Sequence, residues 1–180
     1  MRIKSLSHAG ITVRSLEKTA RWYWEVFKMP LVNVTEMSKE ELEVKKELYQ
    51  LEDCSVRLGF LLCPKGGVIE IFEFSRTEAP SHRWNAPGVT HFTLDAKNIR
   101  KWHEKLSARD DVEILCPPQK TDGNEWFFFR DPDGNLIELI DLKFNYFLLR
   151  RLTRLAGFIM RIGPFKSYYN EVPVPAGESA

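Results

Sequence analysis

Hydrophobic and polar positions along this chain change period at regular intervals, and the changes repeat. Residues 5–13 alternate and carry β-branched types, which predicts a strand. Ser15 then offers a helix cap, and apolar positions at Leu16, Ala20, Tyr23, Trp24 and Phe27 line one face of a helix over about 16–28, which Pro30 ends. Leu31–Met37 reads as a strand. Residues 38–50 are charged and helix-prone. Val56–Cys63 and Val68–Phe74 predict two strands joined by the turn Pro64-Lys65-Gly66-Gly67. Residues 75–87, punctuated by Pro80, Asn85 and Pro87, read as a linker. The order then recurs: a strand over Val89–Asp95, a helix over about Ile99–Ser107 with Ile99, Trp102 and Leu106 inward, a strand over Val112–Cys116, and strands over Glu125–Arg130 and Leu136–Asp141 around Asp131-Pro132-Asp133-Gly134-Asn135. The pattern is β-α-β-β-β, twice.

Offsets support a duplication. His8 opens the first unit and His91 the second. Seven residues on from each stands an N-cap type, Ser15 or Asn98, and fifteen on stands an apolar residue, Tyr23 or Leu106. Gly66 and Gly134 each lie four residues before a mid-strand glutamate, Glu70 or Glu138. The histidine-to-glutamate gap is 62 residues in the first unit and 47 in the second, so the first carries an insertion, placed between about Asn33 and Asp53. After the repeat, Phe144–Ile162 has the pattern of an amphipathic helix with Arg150, Arg151, Arg154 and Arg161. The expectation is that it packs on the domain or on a partner subunit, with a membrane-surface role as the alternative. Residues 171–180 read as loose.

The repeat supplies two imidazoles and two carboxylates in the order His8, Glu70, His91, Glu138. Glu70 stands between Ile69 and Ile71, and Glu138 between Ile137 and Leu139. Strand alternation puts those aliphatic neighbours on the core face and the carboxylates on the other. A carboxylate in so apolar a strand must be hydrogen-bonded, neutralised or bound to a cation. Singly, each of these residues is better explained as a hydrogen-bonded core histidine or a wet-face glutamate. Four in register with a repeat favour one divalent ion with open coordination positions. His82 and His103 lack repeat partners, and His103 is expected on the surface.

Composition narrows the field without redirecting it. With 180 residues, 43% hydrophobic, the chain can bury a full core, and a net charge of +1 excludes a generic nucleic-acid role. Cys54, Cys63 and Cys116 have no motif spacing and read as reduced thiols of a cytoplasmic protein. No uninterrupted apolar span predicts stable membrane insertion, and no apolar signal region opens the chain. Trp126-Phe127-Phe128-Phe129 should split between core and the opposite face. Arg57, Arg76 and Arg83 are candidates to meet an anionic substrate group.

The run Arg130-Asp131-Pro132-Asp133-Gly134-Asn135-Leu136-Ile137-Glu138-Leu139 closely resembles the glyoxalase / bleomycin resistance / dioxygenase (vicinal oxygen chelate) superfamily. The opening Ser7-His8-Ala9-Gly10-Ile11-Thr12-Val13-Arg14-Ser15-Leu16-Glu17 and Val68-Ile69-Glu70-Ile71-Phe72-Glu73-Phe74 resemble it too. The resemblance covers residues 3 to about 141. It implies an α+β fold of paired β-α-β-β-β modules, residues 3–75 and 88–141, forming a curled sheet cup around a metal site, with residues 142–180 as a C-terminal helix and tail. It implies metal ligands at His8, Glu70, His91 and Glu138, and one divalent ion (Zn, Ni, Co, Mn or Fe).

Departures from the family's subgroups shape the expected activity. Thr12 and Phe74 stand where glutathione-dependent glyoxalases have Arg and Asn, and Phe128 stands where extradiol dioxygenases have Tyr. The fosfomycin-modifying members generally lack a carboxylate at the position of Glu70, methylmalonyl-CoA epimerases often have Gln there, and bleomycin-binding members lack the metal set. The expectation is a cytoplasmic, homodimeric, metal-dependent lyase or isomerase/epimerase acting on a small oxygenated substrate by proton transfer, with Glu70 and Glu138 catalytic. The alternatives are an iron(II) extradiol-type dioxygenase and a non-catalytic small-ligand binding protein. Whether the two modules pair within one chain or across a dimer is open.

Overall fold

A computed structural model describes residues 5–80, 84–143, 145, 147 and 152–166. Its elements are β1 (His8–Thr12), α1 (Leu16–Phe27), β2 (Leu31–Met37), α2 (Lys39–Glu43), α3 (Lys46–Tyr49), β3 (Val56–Leu62), β4 (Val68–Phe74), β5 (Phe92–Asp95), α4 (Ile99–Ser107), β6 (Glu113–Ile114), β7 (Gln119–Thr121), β8 (Asn124–Arg130), β9 (Leu136–Asp141) and α5 (Thr153–Ile162). The fold class is the α+β arrangement expected, with two curled, open sheets. One has strand order β1-β4-β3-β2 and the other β5-β9-β8-β6, with β7 added against β8. In each, the first strand runs parallel to the last and the last antiparallel to its hairpin partner. The duplication is therefore topological as well as sequential.

Each sheet buries one face under its own helix, and the two helical layers meet. Leu16, Tyr23, Val26 and Phe27 of α1, Ile69 and Ile71 of β4, Ile99 and Leu106 of α4, and Phe127, Phe129, Ile137 and Leu139 of the second sheet belong to a single buried cluster. Phe27 is the joint: its ring centroid lies 5.4 Å from that of Trp102 and 6.3 Å from that of Phe129. Lys105 crosses the same seam, its Nζ donating to the carbonyl of Val26 at 3.0 Å while lying over the Trp102 ring.

The inward face of α1 differs from expectation at one place. Trp22 is 5% exposed and Trp24 51%, because the face that meets both its own sheet and α4 runs through Leu16, Thr19, Tyr23 and Val26. Trp22 falls on that broader face, and its ring packs edge-on against Tyr23 and Phe27. Ser15 caps α1 as expected, its side chain accepting from Lys18 N. Asn98 makes no side-chain cap; it sits at φ 60° in the left-handed region, which asparagine tolerates. The short strand β7 carries the pattern Gln-Lys-Thr, with every residue exposed, so no hydrophobic period marks it.

A second contact holds the halves together. The Asp131–Asn135 turn between β8 and β9 docks on the start of α1. Asp133 Oδ1 accepts from Arg14 N and Arg14 Nε, both at 3.0 Å, and its Oδ2 accepts from Thr19 Oγ1 at 2.7 Å. Arg14 also donates to the Pro132 carbonyl. Asp131 is buried and accepts from Tyr23 Oη at 3.0 Å, from the backbone N–H groups of Asp133 and Asn135, and from the Asn135 amide. Gly134 closes the turn at φ +88°, where a Cβ would also lie 2.9 Å from Pro80 Cγ.

The insertion is shorter and more local than its charge suggests. Leu42 of α2 joins a second apolar cluster with Cys54 and Val56, flanked by Met37, Tyr49, Phe72 and Phe74. Ser38 and Glu41 form a capping box at the start of α2. The C-terminal helix corrects an expectation. Leu155, Phe158, Ile159 and Ile162 of α5 are about half exposed, not packed on the domain, and much of the expected first half of that helix lies outside the described residues. Among the described residues no helix is long and apolar enough to cross a membrane.

Burial pushes the Asp131 carboxyl above the ordinary aspartate value of 3.8, against the opposing pull of the hydrogen bonds from Asn135 and Tyr23. A raised native pKa favours the protonated folded form, so this group's contribution is fully present below pH 3.8 and is lost as pH rises through the raised value. Asp131→Asn should lower stability by about 1–3 kcal/mol, since its amide turns an NH2 group toward the buried donors of Tyr23, Asp133 and Asn135, whereas the hydroxyl oxygen of a protonated carboxyl still accepts. In urea unfolding of both proteins across acid pH, the wild-type advantage should shrink as pH rises. A difference that stays flat or grows refutes this account.

Candidate metal-binding and catalytic site

Alternation in β4 sends Ile69 and Ile71 to the core and Glu70 and Phe72 to the open face. In β9 it does the same with Ile137 and Leu139 inward and Glu138 outward. Each glutamate meets the histidine of its own half. His8 Nε2 lies 3.1 Å from Glu70 Oε2, and His91 Nε2 lies 3.4 Å from Glu138 Oε2. Both carboxylates are 16% exposed, so they are sheltered yet reachable. The other ring nitrogen is engaged in each case: His8 Nδ1 with Ser7 Oγ at 3.1 Å, and His91 Nδ1 with Thr90 Oγ1 at 2.9 Å.

The match between halves extends to Phe60, which sequence reasoning did not set beside Phe128. Phe60 stands directly across the ladder from Glu70, and Phe128 directly across from Glu138. Both phenylalanines fall ten residues before their glutamate, and that common spacing was the available signal. The rings wall the pairs: His8 and Phe60 are 6.3 Å apart edge to face, His91 and Phe128 5.0 Å. Trp84 adds a further wall, 5.6 Å from the His91 ring and 5.3 Å from Phe128.

The halves differ two residues after each histidine. Thr93 Oγ1 donates to Glu138 Oε2 at 2.9 Å, so Glu138 is held from two sides. The equivalent position in the first half is Gly10, which pairs with Glu70 in the ladder and brings the Phe72 ring within 3.3 Å of where a Cβ would lie. Among the described residues, His8 is the side chain that meets the Glu70 carboxylate.

The four expected ligands thus stand as two imidazole–carboxylate pairs. Among the described residues, no group of three or more His, Cys, Asp or Glu side chains is close enough to share a metal ion within this one chain. Each pair sits on the face of its sheet opposite the residues that enter the shared buried cluster.

The remaining candidates resolve as follows. Arg57 is engaged by Glu17, by Glu36 at 3.1 Å and by Glu73 at 3.6 Å on the helix side of the sheet. It braces α1, whose first N–H, at Leu16, donates to Glu73 at 2.5 Å. Arg76 lines a cleft of about 790 Å³ under the insertion, with Thr12, Leu51 and Phe74. Arg83 and His82 lie outside the described residues. His103 is half-buried rather than fully exposed, with its ring 5.2 Å from Phe127, because it shares a helix turn with half-buried Trp102 and buried Leu106. Phe127 and Phe129 are buried, and Trp126 and Phe128 take the other face, as alternation requires. The three cysteines are free thiols.

Residues 5–139 match the family model described as Glyoxalase/Bleomycin resistance protein/Dioxygenase superfamily. The chain belongs to that superfamily. Solved structures share the superfamily fold at low identity. A glyoxalase family protein from Bacillus cereus superposes with a TM-score of 0.64 at 18% identity, covering 78% of this chain and 95% of its own. The trypanothione-dependent glyoxalase I of Leishmania major gives 0.59 at 18% identity, covering 87% and 99%. The fosfomycin resistance protein FosX of Listeria monocytogenes, in complex with Mn(II) and sulfate, gives 0.53 at 20% identity, covering 82% and 99%. Among curated proteins, the isoleucine–tRNA ligase of Malacoplasma penetrans is 26% identical over 105 residues, which are 57% of this chain and 12% of that protein. The chain therefore spans about an eighth of that relative's length.

Proposed function

We propose that this superfamily member is a cytoplasmic, metal-dependent lyase or isomerase/epimerase that moves a proton beside a carbonyl of a small oxygenated substrate. The observation that carries the reading is the pair of equivalent imidazole–carboxylate contacts, 3.1 and 3.4 Å, at matching positions of the two open sheet faces. Two neutral imidazoles and two carboxylates are a donor set that suits a borderline divalent ion with positions left for substrate oxygens. Each pair is half of such a set. Because the pairs face away from each other's sheets, we assign the complete set to a homodimer, in which His8 and Glu70 of one copy join His91 and Glu138 of a second. Residues 1–141 form the functional unit, and FosX, solved with Mn(II), supports a divalent ion in this fold.

When bound, the ion would supply Lewis-acid polarisation of the substrate carbonyl. The protein's own groups do the rest. Glu138, fixed by His91 and Thr93, is the held ligand. Glu70, met by His8 alone among the described side chains, is the carboxylate that is free to swing and take the proton from the adjacent carbon. Phe60, Phe128 and Trp84 limit water around the reacting atoms, which strengthens every charge interaction there. Phe128 beside His91 brings no phenolic hydroxyl, so the oxygenase alternative gains no proton donor from this wall.

Metal analysis of the purified protein should find about one divalent ion per chain. Glu138→Gln should lose the ion and turnover together. Thr93→Val should keep the fold while weakening metal affinity about 10–100-fold, as loss of a ligand's outer hydrogen-bond partner does. A fully metallated, fully active Glu138→Gln protein discards the scheme.

The assignment to two copies has its own test. His8→Ala and His91→Ala should each abolish metal uptake alone. Unfolded together and refolded as a mixture, they should recover about a quarter of the sites, because half of the dimers are mixed and each mixed dimer rebuilds one site of two. No recovery, with both variants folded, places the ligands in a single chain.

A further inference from the structure

The C-terminal segment lies beyond the superfamily match, which ends at residue 139, and its chemistry is unlike that of the rest. Residues 142–170 carry six cations, Lys143, Arg150, Arg151, Arg154, Arg161 and Lys166, and no Asp or Glu. The whole chain has 26 Lys and Arg against 25 Asp and Glu; residues 1–141 have 20 against 23 and are net negative by three, and Glu171 and Glu178 follow the basic segment. The charge of the chain is divided between an acidic body and a basic tail.

Helix α5 adds a second, geometric feature. Leu155, Phe158, Ile159 and Ile162 follow i, i+3, i+4, i+7 spacing and form one apolar stripe about 100° wide. They are 56%, 53%, 48% and 58% exposed. Thr153, Ala156 and Gly157 occupy the opposite side together with Met160, so that side is narrower in apolar bulk than the stripe. Seven of the chain's aromatic residues, Phe144, Tyr146, Phe147, Phe158, Phe165, Tyr168 and Tyr169, fall within the same 29 positions.

We propose that this tail docks the protein on an anionic lipid bilayer, with α5 lying in the plane of the interface and its stripe buried among the acyl chains. The helix does not span the membrane. An apolar stripe wide enough to insert, cations that meet lipid phosphates, and aromatic rings suited to the headgroup level are the requirements for such a helix, and all three are met here. Charge complementarity selects the occupant. The segment from 142 to 170 has one sign throughout, which matches a surface that is uniformly anionic along its whole length. The net negative charge of residues 1–141 adds no attraction to the same surface, so attachment runs through the tail.

The test uses the full chain and vesicles of phosphatidylcholine, alone or with about one-third phosphatidylglycerol, at about 0.1 M salt. Cosedimentation should occur with the anionic vesicles and fall steeply with added salt, and binding to pure phosphatidylcholine should be at least tenfold weaker. Arg161→Gln should weaken binding about fivefold, the effect of one interfacial cation. Phe158→Asp should weaken it more than tenfold while leaving the thermal midpoint of the body unchanged, since Phe158 is outside both buried clusters. Phe158→Trp should show blue-shifted emission on the anionic vesicles only. Equal binding to both vesicle types, or wild-type binding by Phe158→Asp, overturns the proposal. So does failure to bind vesicles combined with an oligomer that Phe158→Asp dissociates, which assigns the stripe to a second copy.

Discussion

The joint made by Phe27 with Trp102 and Phe129 decides what the rest of this molecule can do. A curled sheet has two faces, and each of these sheets spends one of them on a helix. Because the two helical layers then bury against each other, they take the interior of the chain for themselves. Both remaining faces are turned outward. The histidine–glutamate pairs belong to those outward faces by strand alternation alone, so packing of the core and separation of the pairs are one fact seen twice. Any centre that uses all four side chains has to be completed by something beyond the chain's own core.

That is also where legibility in the sequence stopped. The strands, the exact span of α4, and the inward placement of Ile69, Ile71, Ile137 and Leu139 followed from periods of 2 and 3.6. The presence of one histidine and one mid-strand glutamate in each half was legible from the repeat offsets, whereas their meeting as two separate pairs was not. Whether the couples meet was not legible, since alternation assigns a residue to a face and says nothing of what lies opposite that face. Trp22 was passed over for Trp24 because a helix clamped between a sheet and a second helix buries a wider arc than a helix on one surface. Asn98 was read as a cap because the residue type serves equally well in a left-handed turn. The exposed strand β7 left no hydrophobic signal.

The insertion shows how one half of a duplication acquires a separate task. Leu42 returns to the sheet beside Val56, Phe72 and Phe74, so α2 and α3 shelter one end of the same open face that carries Glu70. The cleft beneath them is bordered by Thr12 and Phe74, two residues beyond the Gly10 and Phe72 that flank the glutamate. The second half has no counterpart, and Trp84 of the connecting segment covers its pair instead. The two pairs therefore look alike at the ligating atoms and differ in their surroundings, which is what a reaction centre needs if one carboxylate is to be held and the other released.

Asp133 binds the start of α1 from the far half, yet the turn at the equivalent place in the first half, Pro64-Lys65-Gly66-Gly67, has no carboxylate to return the favour to α4. The tie runs one way. The two copies have therefore ceased to be interchangeable: two first halves set together would leave Arg14 and Thr19 without their acceptor, and two second halves would leave Asp133 without its donors, so neither half could rebuild this joint with a twin of itself.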